Sequence, residues 1–144
     1  MRLVLDTNVV LDLFHWRNPV AAEILTAARN GRATLVTNSD CLAELEHVIH
    51  RPEFGLEEAA VAALLGAYRA VVTLSDEVTA PQPLPALPRC RDRDDQKFLE
   101  LARDAAADLL VTRDKALLTL ARRKYRLAGF RIVTPEAATP MLAA

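Results

Sequence analysis

Short apolar runs alternate with amphipathic stretches along this chain. Arg2–Asp6, Ala33–Thr37, Leu109–Thr112 and Phe130–Thr134 are short apolar runs, and each predicts a buried strand. Val71–Leu74 is β-branched and reads either as a third strand or as a helix end. Between them, Val9–Phe14 predicts a short helix. A second helix begins near Pro19 and runs to Asn30-Gly31, with proline at its start and glycine at its end. Asn38 or Ser39 can cap a third helix, whose apolar face is Leu42, Leu45, Val48 and Ile49 and which stops before Pro52. Leu56–Ala70, Asp94–Ala107 and Asp114–Tyr125 complete the longer helices, and Pro135 opens a short last one.

Strands that are apolar throughout, alternating with helices, predict a parallel sheet covered on both faces. In such sheets ligands collect at the carboxyl ends of the strands. The 144 residues suit one α/β domain over 1–144. Thr79–Pro88 carries Pro81, Pro83, Pro85 and Pro88 and predicts an extended connection within that domain.

Composition narrows the function. Net charge is -1, so no global basic field recruits nucleic acid, and a polyanion would need a local patch. Aromatic residues are 5% of the chain, too few for base stacking to dominate recognition. Cys41 and Cys90 have no metal-ligand spacing and read as reduced thiols of a cytoplasmic protein. The first apolar run is broken by Asp6, Asn8 and Asp12, unlike a signal peptide, and no run approaches the ~18 residues of a membrane span.

The candidate chemistry lies in acids placed where apolar segments stop. Asp6 follows Leu3-Val4-Leu5, and Asp114 follows Leu109–Arg113, so both fall on the carboxyl edge. A buried carboxylate is costly unless paired, and converging ones raise each other's pKa, a penalty that a hard divalent cation removes. Asp6 could instead open an Asx-turn, and Asp114 could only cap its helix. For the acid near residue 95, helical phase discriminates: Phe98, Leu101, Ala102 and Ala105 form the inner stripe, and its backward extension places Asp95 near the centre line and Asp92 and Asp94 toward its edges. Glu44 and Glu46 flank the apolar face of their helix by similar angles, and periodicity does not choose between them.

Leu-Asp-Thr-Asn-Val-Val (5–10), Ala-Glu-Leu (43–45), Asp-Asp-Gln-Lys-Phe-Leu-Glu-Leu-Ala (94–102) and Leu-Val-Thr-Arg-Asp (110–114) together resemble the PIN-domain nucleases. The resemblance is closest to the branch of VapC-like toxin components of toxin–antitoxin systems, through Arg51-Pro52 and the segment 91–102. It implies a three-layer α/β/α sandwich and assigns Asp6, Glu44, Asp95 and Asp114 to catalysis and metal binding. It prefers Glu44 to Glu46 and adds Asp92 as a secondary ligand, with Asn8 and Thr112 lining the site. The implied activity is hydrolysis of RNA by a water activated on Mg²⁺ or Mn²⁺, in a homodimer held by a cognate antitoxin. Carboxylates suit these ions because both prefer oxygen ligands.

Arg113 and Lys115 flank Asp114 and could touch an incoming phosphate, with salt bridging as the competing role. His15-Trp16 reads as a loop packing anchor or a contact for substrate or partner. His47 and His50 read as solvated. Arg122–Arg126 is the densest basic run, either a solvated helix end or a phosphate patch. A phosphotransfer receiver domain would need a second acid beside Asp6 and a lysine before Pro135, and the chain has neither. A haloacid-dehalogenase-type phosphatase needs an acid at the position of Asn8. The alternative from another class is a PIN-like module that binds RNA or protein without turnover.

Overall fold

The computed structural model describes residues 1–75, 87, 93–122 and 129–143. Thirteen elements follow one another: β1 (Arg2–Leu5), α1 (Thr7–Phe14), α2 (Pro19–Arg29), β2 (Thr34–Thr37), α3 (Ser39–Ile49), a 3-10 turn (Pro52–Phe54), α4 (Glu58–Val71), β3 (Val72–Leu74), α5 (Arg93–Asp104), β4 (Leu109–Val111), α6 (Lys115–Arg122), β5 (Arg131–Val133) and α7 (Pro135–Met141). The five strands form one sheet in the order β3-β2-β1-β4-β5. Every pair is parallel, with Leu3 opposite Leu35 and Leu109, and Leu5 opposite Val111.

Because side chains alternate along a strand, the apolar runs feed two cores. Leu3, Leu5, Leu35, Leu109, Val111 and Val133 face α1, α2, α4 and α7. Val4, Val36, Leu110 and Ile132 face α5 and α6. The fold is a three-layer α/β/α sandwich. α3 serves both cores, with Leu42, Leu45 and Ile49 in the first and Cys41 in the second.

Local chemistry sets the element ends. α1 starts at Thr7, ahead of the expected Val9, because Asp6 is its cap and accepts from the Thr7 N–H. Asn18 caps α2 before Pro19, and Asn38 caps α3 by accepting from Cys41 N. Val72–Leu74 is a strand, pairing with Leu35–Thr37 at the sheet's edge. The proline-rich expectation over 79–88 falls outside the described residues apart from position 87, as does the chain from 123 to 128 with most of the basic run.

The chain leaves β1 toward β2 on one side, while β4 and β5 lie on the other. The order therefore reverses between β1 and β4, and the carboxyl edge at such a switch point is where sheets of this kind bind ligands. The residues that follow these two strands are Asp6 and Thr112.

Candidate active site

Asp6 is set by the last ladder contact of β1, where its N–H donates to the Val111 carbonyl at 3.0 Å. Its side chain is 4% exposed. Oδ1 accepts from Thr7 N at 2.7 Å, and Oδ2 accepts from the Thr112 hydroxyl at 2.6 Å and from Asn8 Nδ2 at 3.3 Å. Thr112, fully buried, is a two-way link: its Oγ1 also accepts from the Asp114 N–H at 2.9 Å. Asn8 and Thr112, expected to line the site, thus hold Asp6 directly.

Asp114 sits three residues beyond β4. Its Oδ1 caps α6 by accepting from Ala116 N at 2.7 Å and Leu117 N at 3.3 Å. The capping role weighed from sequence is therefore present, and it leaves Oδ2 for another partner. Glu44 reaches the same place from α3: Oε2 accepts from the Thr7 hydroxyl at 2.8 Å, while Oε1 pairs with Lys97 Nζ at 3.2 Å. Glu46 points elsewhere and pairs with Arg69 of α4 at 2.6 Å. Asp95 is buried in the first turn of α5, on the face that also buries Phe98, Leu101, Ala102 and Ala105, as the helical phase requires. Asp92 and the side chain of Asp94 lie outside the described residues.

Two side chains that the sequence did not single out are built into this arrangement. Thr7 bridges Asp6 and Glu44, and Lys97 ties α5 to Glu44. The signal for Thr7 was its place in the first turn of a helix capped by an acid, and for Lys97 its position two residues after Asp95. Arg113 is held in salt bridges: Nε donates to Asp12, and a terminal nitrogen donates to Glu136 at 2.8 Å. It clamps α1 to α7, and its N–H approaches Asn8 Oδ1 at 3.4 Å. Lys115 is exposed. Beside Glu44 opens a cleft of about 540 Å³, lined by Asp40, Glu44 and His47 along α3, by Arg51 beyond the end of that helix, and by Lys97 of α5.

The electrostatics are those of crowded acids. Burial pushes the Asp6 carboxyl up to about 6; the Thr112 and Thr7 hydrogen bonds oppose this, and the charges of Glu44 and Asp114 add to it. Among the described residues no group of three or more His, Cys, Asp or Glu side chains is placed to hold a metal ion. The donor set still fits a hard cation of the Mg²⁺ type, which keeps several waters and needs only one or two carboxylates. The Asp6 carboxyl is raised chiefly by burial and further by the charges of Glu44 and Asp114, and a divalent cation would oppose that shift. Cys41, buried and free, has its thiol pushed up to about 12, chiefly by burial, which keeps it protonated and a poor ligand.

No helix among the described residues is long and apolar enough to cross a membrane. No curated protein matches the chain. Among solved structures, it is similar to a chain in the crystal structure of VapBC2 from Rickettsia felis bound to a DNA fragment from their promoter. The TM-score is 0.61 at 16% identity, over 93% of this chain and 98% of that one, a likeness of fold. The family described as PIN domain matches residues 2–116, which include β1, α3, β4, Asp6, Glu44, Asp95 and Asp114. The chain belongs to the PIN domain family.

Proposed function

We propose that residues 1–144 form one PIN domain that hydrolyses RNA phosphodiester bonds with the help of Mg²⁺ or Mn²⁺. The observation that carries this reading is Asp6: a carboxylate buried at the switch point, raised to about 6 beside Glu44 and Asp114, and held in orientation by three donors. Asp6, Glu44, Asp95 and Asp114 would hold the ion, with Asp92 secondary. Such an ion neutralises a phosphate oxygen and lowers the pKa of water. The protein's own part is positional. Thr112 fixes Asp6 and the turn to Asp114 with one hydroxyl, and Thr7 fixes Glu44 relative to Asp6. Lys97 balances Glu44 in the resting site, and a phosphate entering there would compete for the ammonium. Lys115, exposed beside Asp114, is available to a phosphate, whereas Arg113 has its charge engaged by Asp12 and Glu136.

Purified protein should cleave RNA only with Mg²⁺ or Mn²⁺, and Asp6→Asn should remove the activity. Cleavage that survives both EDTA and the substitution would overturn the reading. The second reading, a module that binds RNA or protein without turnover, accords with the described residues, among which no three His, Cys, Asp or Glu side chains are placed to hold a metal ion. Tight RNA binding with no cleavage under any divalent metal would establish it.

The biological role we infer is that of a cytoplasmic toxin, acting as a homodimer restrained by a cognate antitoxin. It is supported by the motif resemblance and by the fold likeness to the VapBC2 structure. Expression should arrest growth and a cognate partner should relieve the arrest; harmless expression of soluble, active enzyme would contradict the toxin role.

A further inference from the structure

We propose that the α3 cleft and the aromatic corner beyond it form one continuous track for single-stranded RNA, with Lys97 and Arg51 on its phosphates and Trp16 stacked on a base. The identity of the polymer rests on the nuclease reading; the track itself rests on geometry. The cleft begins at Glu44, a candidate metal ligand, and runs past His47 to Arg51. That is two turns of helix, or ~11 Å. Its volume of about 540 Å³ is of the size that takes a nucleotide-scale ligand.

Charge selects the ligand. Of the two acids on the cleft, Glu44 is balanced by Lys97, and Asp40 lies in the first turn of α3, where an acid suits the helix N-terminus. Arg51 is exposed and makes no salt bridge with a described residue. Arg51 is then the cation that remains for a phosphate in the metal-free cleft, and a phosphate that enters beside Glu44 would compete for the Lys97 ammonium. These two cations are the local basic groups that a chain of net charge -1 needs in order to hold a polyanion.

Arg51 is also the hinge to the aromatic corner. It caps the 3-10 turn Pro52–Phe54, which Gly55 closes in the left-handed conformation at φ 58°. The turn brings Phe54 edge-on against His15, with ring centroids 5.5 Å apart, and 6.3 Å from Trp16. His15 meets Trp16 edge-on at 4.3 Å. His15 and Phe54 are half-buried, yet the indole they support is 61% exposed. A packing anchor would be covered; a propped, open ring is a stacking platform. A cationic groove leading to an aromatic face is how proteins hold single strands without reading sequence. One platform stacks one base, which accords with the low aromatic content of the chain.

Trp16 is the only tryptophan in the chain, so its fluorescence reports this corner directly. The test titrates the full protein with a short single-stranded oligoadenylate in EDTA, following both indole fluorescence and the anisotropy of labelled RNA. Saturable quenching is expected. Trp16→Ala should weaken binding about tenfold, while Trp16→Phe stays within about threefold of wild type. Arg51→Gln should lower the slope of log affinity against log salt by about 0.7, the loss of one phosphate contact. RNA binding with unchanged indole fluorescence, or unaltered by Trp16→Ala, would overturn the track. So would a change in sedimentation on Trp16→Ala with RNA affinity intact, which would make the corner a protein contact. Binding in EDTA is independent of cleavage. Trp16-dependent binding without metal-dependent cleavage would remove the nuclease reading alone, and cleavage without Trp16-dependent binding would remove the track alone.

Discussion

The two ends of the same parallel sheet treat their acids in opposite ways. At the amino edge, Asp108 sits just before β4, where its Oδ2 accepts from Arg2 N at 2.7 Å beside exposed residues. Arg2 reaches across the same edge to the Ala105 carbonyl. Among the described residues, none there is both charged and buried. At the carboxyl edge, Asp6 is buried, its carboxyl is raised to about 6, and Glu44 and Asp114 lie near enough to raise it further. Its partners are all neutral donors: a backbone N–H, a threonine hydroxyl and an asparagine amide. A protein selected for stability alone would have built both ends like the first. Uncompensated charge at one end marks that end as the place where something else is meant to supply the compensation.

The largest expected effect is on activity. Asp6→Asn should lower RNA cleavage by on the order of 10²–10³-fold, whereas Asp108→Asn at the other end should leave the cleavage rate unchanged. Equal losses at the two ends would erase the distinction. Next, Asp95→Asn should cost far more activity than Asp94→Asn in the same assay, because Asp95 is on the buried face of α5; equal losses would show that the helical phase does not choose the working acid. Thr112→Val should slow cleavage roughly 10–100-fold by freeing Asp6 and the Asp114 turn, and Thr112→Ser should restore most of it. Failure of serine to rescue would mean that the hydroxyl bridge is not what matters.

Stability should move the other way. A carboxyl whose folded pKa is about 6 against an ordinary 3.8 disfavours the charged form on folding. The resulting destabilisation is absent below pH 3.8, builds as pH rises, and is complete above pH 6. Metal-free Asp6→Asn should therefore be more stable than wild type near pH 7, by ~1–3 kcal/mol in urea unfolding, with the difference shrinking toward pH 4. A destabilised variant at pH 7 would mean that the hydrogen bonds to Asp6 outweigh its desolvation. The smallest effect belongs to the amino edge, where Asp108→Ala should cost about 1 kcal/mol at every pH above 5.

The comparison also explains what could be read in advance. Strands β1, β2, β4 and β5 announced themselves because each carries two or three consecutive buried apolar residues. β3 did not, because Thr73 and Leu74 are exposed at the sheet's edge and leave no unbroken apolar run. Asp6 and Asp114 were legible from strand ends, and Asp95 from helical phase, since each is a local property of one element. Glu44 could not be separated from Glu46 in that way: the choice is made by Thr7 of α1 and Lys97 of α5 on one side and Arg69 of α4 on the other. It took the family motif to prefer Glu44. The salt bridges of Arg113 were hidden for the same reason, since its partners Asp12 and Glu136 are distant in sequence.

The central claim is that the buried charge at the carboxyl edge exists to meet a divalent cation. Thermal unfolding of wild type and Asp6→Asn at pH 7, with and without Mn²⁺, tests it most directly. Binding to the folded state alone raises Tm. Mn²⁺ should stabilise the wild type in a concentration-dependent manner and leave Asp6→Asn unmoved. Equal shifts in the two proteins, or none in the wild type, would contradict it.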